Sequence, residues 1–204
     1  MKRLRSALLL TLLVGCARPT PPSEIRIDFE PPALTASVRF DLLDAERAFY
    51  TVTARGECND PGGVPRLELY LGVTRFAASS CTEGRWQVAR DGVRLPEQRF
   101  VVYGFDPAGN EARLSVPGAS SPLARATPSG VVVSGTSGVE TTAVRVLDLA
   151  GTVLGTLNLA PDRTRPTVWT LTVPPPADPT SDRVRIELTD VGGNGTLIEL
   201  PVLR

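Results

Sequence analysis

Histidine is missing from this sequence altogether, and lysine and methionine occur once each, as Lys2 and Met1. Without histidine the commonest general base and the commonest transition-metal ligand are both gone, which excludes Ser-His-Asp triads and zinc sites of the usual kinds. The stretch "SGTSG" at 134–138 therefore reads as a loop after a strand, because Ser137 lacks glycines two residues away on both sides and has no base to activate it. No glycine-rich phosphate loop precedes a helical pattern, and no cofactor is expected. Glu57, Asp60 and Glu83 sit in polar stretches and read as a solvated face rather than as acid/base machinery. Basic and acidic residues balance at 22 each with no basic stripe, so nucleic acid is not an expected partner. A non-catalytic protein is the expectation, and the one enzymatic alternative is an exported hydrolase or enzyme accessory working with carboxylates alone.

The N-terminus is informative. Lys2, Arg3 and Arg5 precede an apolar run from Ala7 to Val14, which is too short to span a bilayer and has the layout of a secretion signal. It ends in Leu13-Val14-Gly15-Cys16, which resembles the lipobox of bacterial lipoproteins. That resemblance implies cleavage after Gly15, a mature chain lipidated on Cys16 and a membrane anchor made of acyl chains. One chain binds a membrane marginally and two signals bind stably, so the three acyl chains implied here give a stable tether. The following "ARPTPPS" is a Pro-rich spacer that stays extended and holds a domain away from the membrane. Ala17 rather than Asp follows the cysteine, which by the same resemblance favours the outer membrane in a cell with two membranes and otherwise the outer face of the cell membrane. Loss of the leader would leave acidic residues in excess by three, a balance with no polybasic patch for anionic lipid.

Once Cys16 is assigned, Cys58 and Cys81 remain as an even pair in an exported, oxidising compartment and are expected to form a disulfide. Closing that loop is worth about 3 kcal/mol in the chain-entropy model.

The chain also repeats itself. "FDPAGNEARLSVP" at 105–117 returns as "TDVGGNGTLIELP" at 189–201, with Asp106, Gly109, Asn110 and Pro117 matched 84 positions later by Asp190, Gly193, Asn194 and Pro201. Trp86 is answered 83 positions on by Trp169, and "RLELYL" at 66–71 by "VRVLDL" at 144–149. Two copies of one unit follow. We expect a leader over 1–15, a lipidated tether over 16–23, a first domain over 24–117, a linker over 118–125 and a second domain over 126–204. Strand-like alternation dominates both copies, with "EIRIDF" and "FYTVTA" opening the first, while "LTASVRFDLLDAERAF" is left open to a short helical turn.

An apolar strand, a Trp-bearing strand and then "VYGFDPAGN" at 102–110 or "IELTDVGGN" at 186–194 with a closing strand resemble the immunoglobulin-like modules of exported bacterial proteins. The resemblance implies an all-β fold of two tandem immunoglobulin-like sandwiches. Asp and Asn side chains bond nearby backbone, and Gly109 and Gly193 allow positive φ, so each signature reads as the hairpin turn between the last two strands. Asp106 and Asn110 also place two oxygen donors together, but calcium needs six to eight oxygens and no further acidic residue follows at regular spacing.

Alternation separates the faces of the strands. Val184, Ile186 and Leu188 point one way and Arg183, Arg185 and Glu187 the other; the same phase 84 residues earlier buries Phe100, Val102 and Gly104 and turns Val101, Tyr103 and Phe105 outward. Leu67, Leu69 and Leu71 likewise put Tyr70 outside. Ten of the eleven aromatic residues precede the linker, so the expected partner surface is Tyr70, Val101, Tyr103 and Phe105, facing an envelope protein or a polysaccharide stacked on Tyr70 and Tyr103, unless residues 31–43 or the second domain cover it.

Overall fold

The computed structural model describes residues 28–94, 100–160, 164–178 and 180–204. Cys16, the leader, the tether and most of the expected 24–29 strand lie outside these residues, and Asp28 and Phe29 are not in a strand.

The described residues contain no helix and fifteen strands. The first eight are β1 (Ala33–Leu34), β2 (Ser37–Asp44), β3 (Phe49–Asn59), β4 (Arg66–Leu71), β5 (Thr74–Ser79), β6 (Arg85–Arg94), β7 (Phe100–Phe105) and β8 (Glu111–Val116). The rest are β9 (Ala119–Thr127), β10 (Gly130–Ser137), β11 (Thr141–Leu147), β12 (Val153–Asn158), β13 (Thr167–Val173), β14 (Arg183–Asp190) and β15 (Gly195–Leu203).

From β2 onward the strands fall into two sets of seven with the same connectivity. In the first, β2-β3-β6 form one layer and β5-β4-β7-β8 the other; in the second, β9-β10-β13 face β12-β11-β14-β15. First, second and fifth strands against fourth, third, sixth and seventh is the strand order of an immunoglobulin-like or fibronectin-type sandwich, and it occurs twice.

The segment left open over 34–49 is β1 and β2. Val38, Phe40 and Leu42 are buried in alternation with Ser37, Arg39 and Asp41, and that period of two decides for strand over helix. The chain reverses after Asp44, whose Oδ1 accepts the amides of Glu46 and Arg47, both at 3.0 Å. Residues 118–125, expected as a linker, are almost entirely β9, paired antiparallel with β10. Gly, Ser and Pro misled because they mark a bulge here: the register breaks between Ser120 and Leu123, where Ser121 has φ 48° and Pro122 has no amide to pair.

The two sandwiches are not beads on a string. β15 pairs with β14 on one edge; on the other it runs parallel to β2, Gly195–Ile198 against Ser37–Phe40, and then meets β9 at Val202 and Leu203. One sheet therefore runs β6-β3-β2-β15-β14-β11-β12. Because Val38 lies beside Thr196 and Phe40 beside Ile198, both cores sit on the same face of this sheet, and the buried apolar residues form one cluster through both sandwiches. Thr196 Oγ1 donates to the Pro117 carbonyl, and Ala36 N donates to Asn194 Oδ1 at 3.0 Å.

On the opposite face Glu199 is only 7% exposed. It takes Arg183 Nη1 at 2.8 Å and Arg185 Nη2 at 3.3 Å, and Arg183 also donates to the Leu42 carbonyl of β2 at 3.4 Å. The arginines expected to face solvent are thus half-buried at the junction.

Two further repeats appear in the packing. Gly56 of β3 is the register partner of Trp86 of β6, and Gly135 of β10 that of Trp169 of β13. In each sandwich the indole lies against the vacancy left by a missing Cβ, and both tryptophans are nearly buried. Cys58, at the end of β3, is disulfide-bonded to Cys81 with Cα atoms 6.1 Å apart, which ties one layer to the connection between β5 and β6.

A methyl group at Gly135 would lie 2.8 Å from the Trp169 ring, and one at Gly56 would lie 1.8 Å from the Thr35 carbonyl oxygen as well as 2.8 Å from Trp86 Nε1. Gly135→Ala should cost about 1–3 kcal/mol in denaturant unfolding, the usual range for overpacking. Gly56→Ala, which meets backbone, should cost more. Unchanged midpoints would show that the rings have room to move.

Candidate functional site

The strands β4 and β7 pair Leu69 with Val102 and Tyr70 with Val101, which fixes which side chains share a face. Leu67, Leu69, Phe100 and Val102 are buried on the inner side, and Leu34 packs against Gly104 there. Tyr70, Tyr103 and Phe105 lie half-buried on the outer side. Tyr70 and Tyr103 meet edge to face at 5.5 Å, Tyr70 Oη donates to Glu68 Oε2 at 3.0 Å, and the Arg66 guanidinium sits 4.0 Å over the Phe105 ring. Glu68 also meets Arg75 at 3.5 Å. The hydrogen bond to Glu68, followed by burial, raises the Tyr70 pKa.

This face is a lattice of mutually engaged side chains rather than a bare apolar patch. Val101 is only 7% exposed yet stands outside the core cluster; it lines a cleft of about 430 Å³ with Val73 and Arg113 of the first sandwich and Thr136, Ser137 and Pro166 of the second. Residues 31–43 supply β1 and β2 of the other layer and do not cover the aromatic side chains.

The repeated signatures form the β7–β8 and β14–β15 turns with matching hydrogen bonds. Asp106 Oδ1 accepts Asn110 N at 2.8 Å and its Oδ2 accepts Asn110 Nδ2 at 2.7 Å; Asp190 does the same for Asn194 at 2.9 and 3.0 Å. Gly109 and Gly193 take φ of 92° and 77°. This is a type I turn closed by a left-handed glycine. A third copy, Asp148 to Thr152, joins β11 to β12 with Gly151 at φ 91°; it was legible as Asp-x-x-Gly and went unread because its last residue is Thr.

Folding brings Asp28 and Asp60 to Asp106, with one ligand oxygen from each within 4.8 Å of the others. Each already accepts a local amide, from Glu30, Gly62 and Asn110 respectively. Three carboxylates fall well short of a calcium shell. Sequence reading missed the cluster because its members are separated by long stretches of chain.

A groove of about 680 Å³ opens where the Gly193 turn approaches the first sandwich. Its lining includes Arg55, Glu57, Arg85 and Gln87, hydroxyl residues such as Ser37 and Thr82, and Trp86. None of these was singled out as a binding residue in the sequence.

No protein-family model matches the chain, and neither does any curated protein. Among solved structures the chain is similar to the fibronectin(III)-like modules of Clostridium thermocellum CbhA, at 13% identity and a TM-score of 0.30, over 84% of this chain and 94% of that one. It is also similar to a DUF3823 family protein from Bacteroides ovatus, at 8% identity and a TM-score of 0.31, over 82% and 100% of the two chains. A third likeness is to a 1.5-MDa bacterial ice-binding adhesin, at 17% identity and a TM-score of 0.30, over 86% of this chain and 66% of that one. The two-sandwich architecture rests on this chain's own strand order.

The Asp106 turn makes acid stability testable. Burial pushes the Asp106 carboxyl upward, but the Asn110 side chain and the amides of Asn110, Gly109 and Ala108 outweigh it and hold the pKa below the ordinary 3.8. A depressed folded pKa contributes stability that is complete above the unfolded value and is lost as pH falls through the folded one. The melting temperature should therefore drop as pH is lowered below 3.8, and Asp106→Asn should flatten that part of the curve. The same acid response in the variant would assign it to other carboxylates.

Proposed function

We propose that the protein is an exported lipoprotein, anchored through Cys16, that serves the cell envelope as a non-catalytic binding or structural module. The observation that carries this reading is the parallel pairing of β15 with β2, which turns two sandwiches into one stiff body suited to presenting surfaces at a set distance and angle. The basic leader, the short apolar run and the Pro-rich spacer supply export and a tether, and the Cys58–Cys81 disulfide suits an oxidising compartment. Acid/base machinery has little support: the sequence has no histidine, and the carboxylates that converge, Asp28, Asp60 and Asp106, are engaged with backbone amides.

In this reading 24–117 is the first domain, and the second, expected from sequence at 126–204, starts earlier with β9 at Ala119. The partner surface is the outer face of β4 and β7, where Tyr70, Tyr103 and Phe105 offer half-exposed rings and Val101 borders the cleft. The edge-to-face pairing of Tyr70 with Tyr103 favours an envelope protein over a polysaccharide, since two perpendicular rings do not make the flat platform on which sugars stack. The membrane is the outer one where two are present and the cell membrane otherwise.

The anchor is tested by Cys16→Ala. Metabolic labelling with a palmitate analogue should mark the wild type and not the variant, and the variant should leave the membrane fraction. Equal labelling and equal membrane retention would refute the anchor.

A further inference from the structure

The groove at the sandwich junction has the chemistry of a binding site. On the outer face of the first layer Arg55 pairs in register with Gln87 and with Ser37, and Arg85 lies opposite Glu57. Neither Arg55 nor Arg85 makes an ion pair with any described residue, although Glu57 is Arg85's register partner. Other arginines on the same sheet face are occupied: Arg39 by Asp41, Arg145 by Glu187, and Arg183 and Arg185 by Glu199. Two free guanidinium groups and one carboxylate leave the groove with a net positive charge.

Around them the lining is polar. Ser37, Ser80 and Thr82 present hydroxyls and Gln87 an amide, all groups that both give and accept hydrogen bonds. The second sandwich closes one end with Gly193, whose lack of a side chain leaves that wall open to close approach. Trp86 belongs to the lining, and its indole N–H is buried without a hydrogen-bond partner. At about 680 Å³ the groove falls within the range of small-molecule sites, about 300–1,000 Å³.

The geometry points to a short acidic oligosaccharide as the ligand, its carboxylates held by Arg55 and Arg85 and its hydroxyls by the serine, threonine and glutamine side chains. Guanidinium groups take carboxylates as two parallel hydrogen bonds, and a polyol needs neighbours that act as donor and acceptor at once. An acidic peptide brings the same carboxylates but no hydroxyl groups that donate and accept at once, so it uses less of the serine, threonine and glutamine lining. The site is separate from the β4–β7 face. It extends the binding-module reading and owes nothing to the anchor, so the loss of membrane attachment in Cys16→Ala bears on one and not on the other.

Calorimetric titration of the purified protein with trigalacturonate, maltotriose and triglutamate tests the assignment. Trigalacturonate should bind, weakening as salt is raised because the arginines are exposed, and the other two should bind at least about tenfold more weakly. Arg55→Gln combined with Arg85→Gln should reduce trigalacturonate affinity by about tenfold or more while the melting temperature stays near that of the wild type. Tyr103→Thr should leave it unchanged. The assignment is overturned by the absence of trigalacturonate binding, by equal binding of maltotriose, by tighter binding of triglutamate, or by full affinity in the double arginine variant.

Discussion

The parallel ladder between β15 and β2 is the constraint on which the rest of the molecule depends. A strand at the edge of a sheet exposes a row of unpaired amides and carbonyls, and such an edge seeks a partner. In the first sandwich that edge is β2, and the partner is the last strand of the chain. Because register partners in a ladder share a face, the pairing aligns Val38 with Thr196 and Phe40 with Ile198 and makes the two cores continuous. Polar contacts then gather on the other side of the same seam: Glu199, Arg183 and the Leu42 carbonyl. Separating the sandwiches would uncover apolar surface, break a backbone ladder and take from Arg183 its bond to the Leu42 carbonyl at once.

The repeated Asp-to-Asn turn takes part in the same economy of backbone groups. In both hairpins the aspartate satisfies the turn's own amides, which frees the asparagine's remaining capacity for a neighbouring segment. Asn110 donates to the carbonyl of Asp28, whereas Asn194 uses its oxygen to accept the Ala36 amide at the kink between β1 and β2. A side-chain amide can serve either need because it carries both a donor and an acceptor. The third turn ends in Thr152, whose side chain makes no hydrogen bond to another strand among the described residues. Asparagine thus stands where the turn must also hold something else.

These particulars explain which parts of the structure could be read from sequence. Alternation in β7 and β14 separated inner from outer side chains, and the Asp-x-x-Gly pattern marked the hairpins, because both are local consequences of backbone geometry. The β15–β2 ladder left no local trace, since parallel pairing joins residues some 158 positions apart and depends on no turn. Composition erred at 118–125, where Gly, Ser and Pro signal a linker and a bulged strand equally well. Period two also says which way Val101, Arg183 and Arg185 point and nothing of what arrives above them: a cleft wall for the first and Glu199 for the others. The Gly56–Trp86 and Gly135–Trp169 pairs were hidden for a related reason, as the tryptophans were visible and their partners, having no side chain, were not.

The charge pattern of the long sheet follows from its being exposed on one side only. A sheet with one wet face must fill that face with polar residues, and placing opposite charges on adjacent strands keeps the face soluble without net repulsion. Arg145 with Glu187 and the Glu199 clamp obey this rule across strands, and Arg39 pairs with Asp41 along β2 itself. Exposed pairs of this kind contribute little to stability, about 0–1 kcal/mol each, so their absence at one end would cost the fold almost nothing. That is where Arg55 and Arg85 stand unpaired, on the rim of the groove made by the junction. Their lack of an acidic partner therefore costs the fold little and leaves both guanidinium groups open to the ligand proposed for the groove.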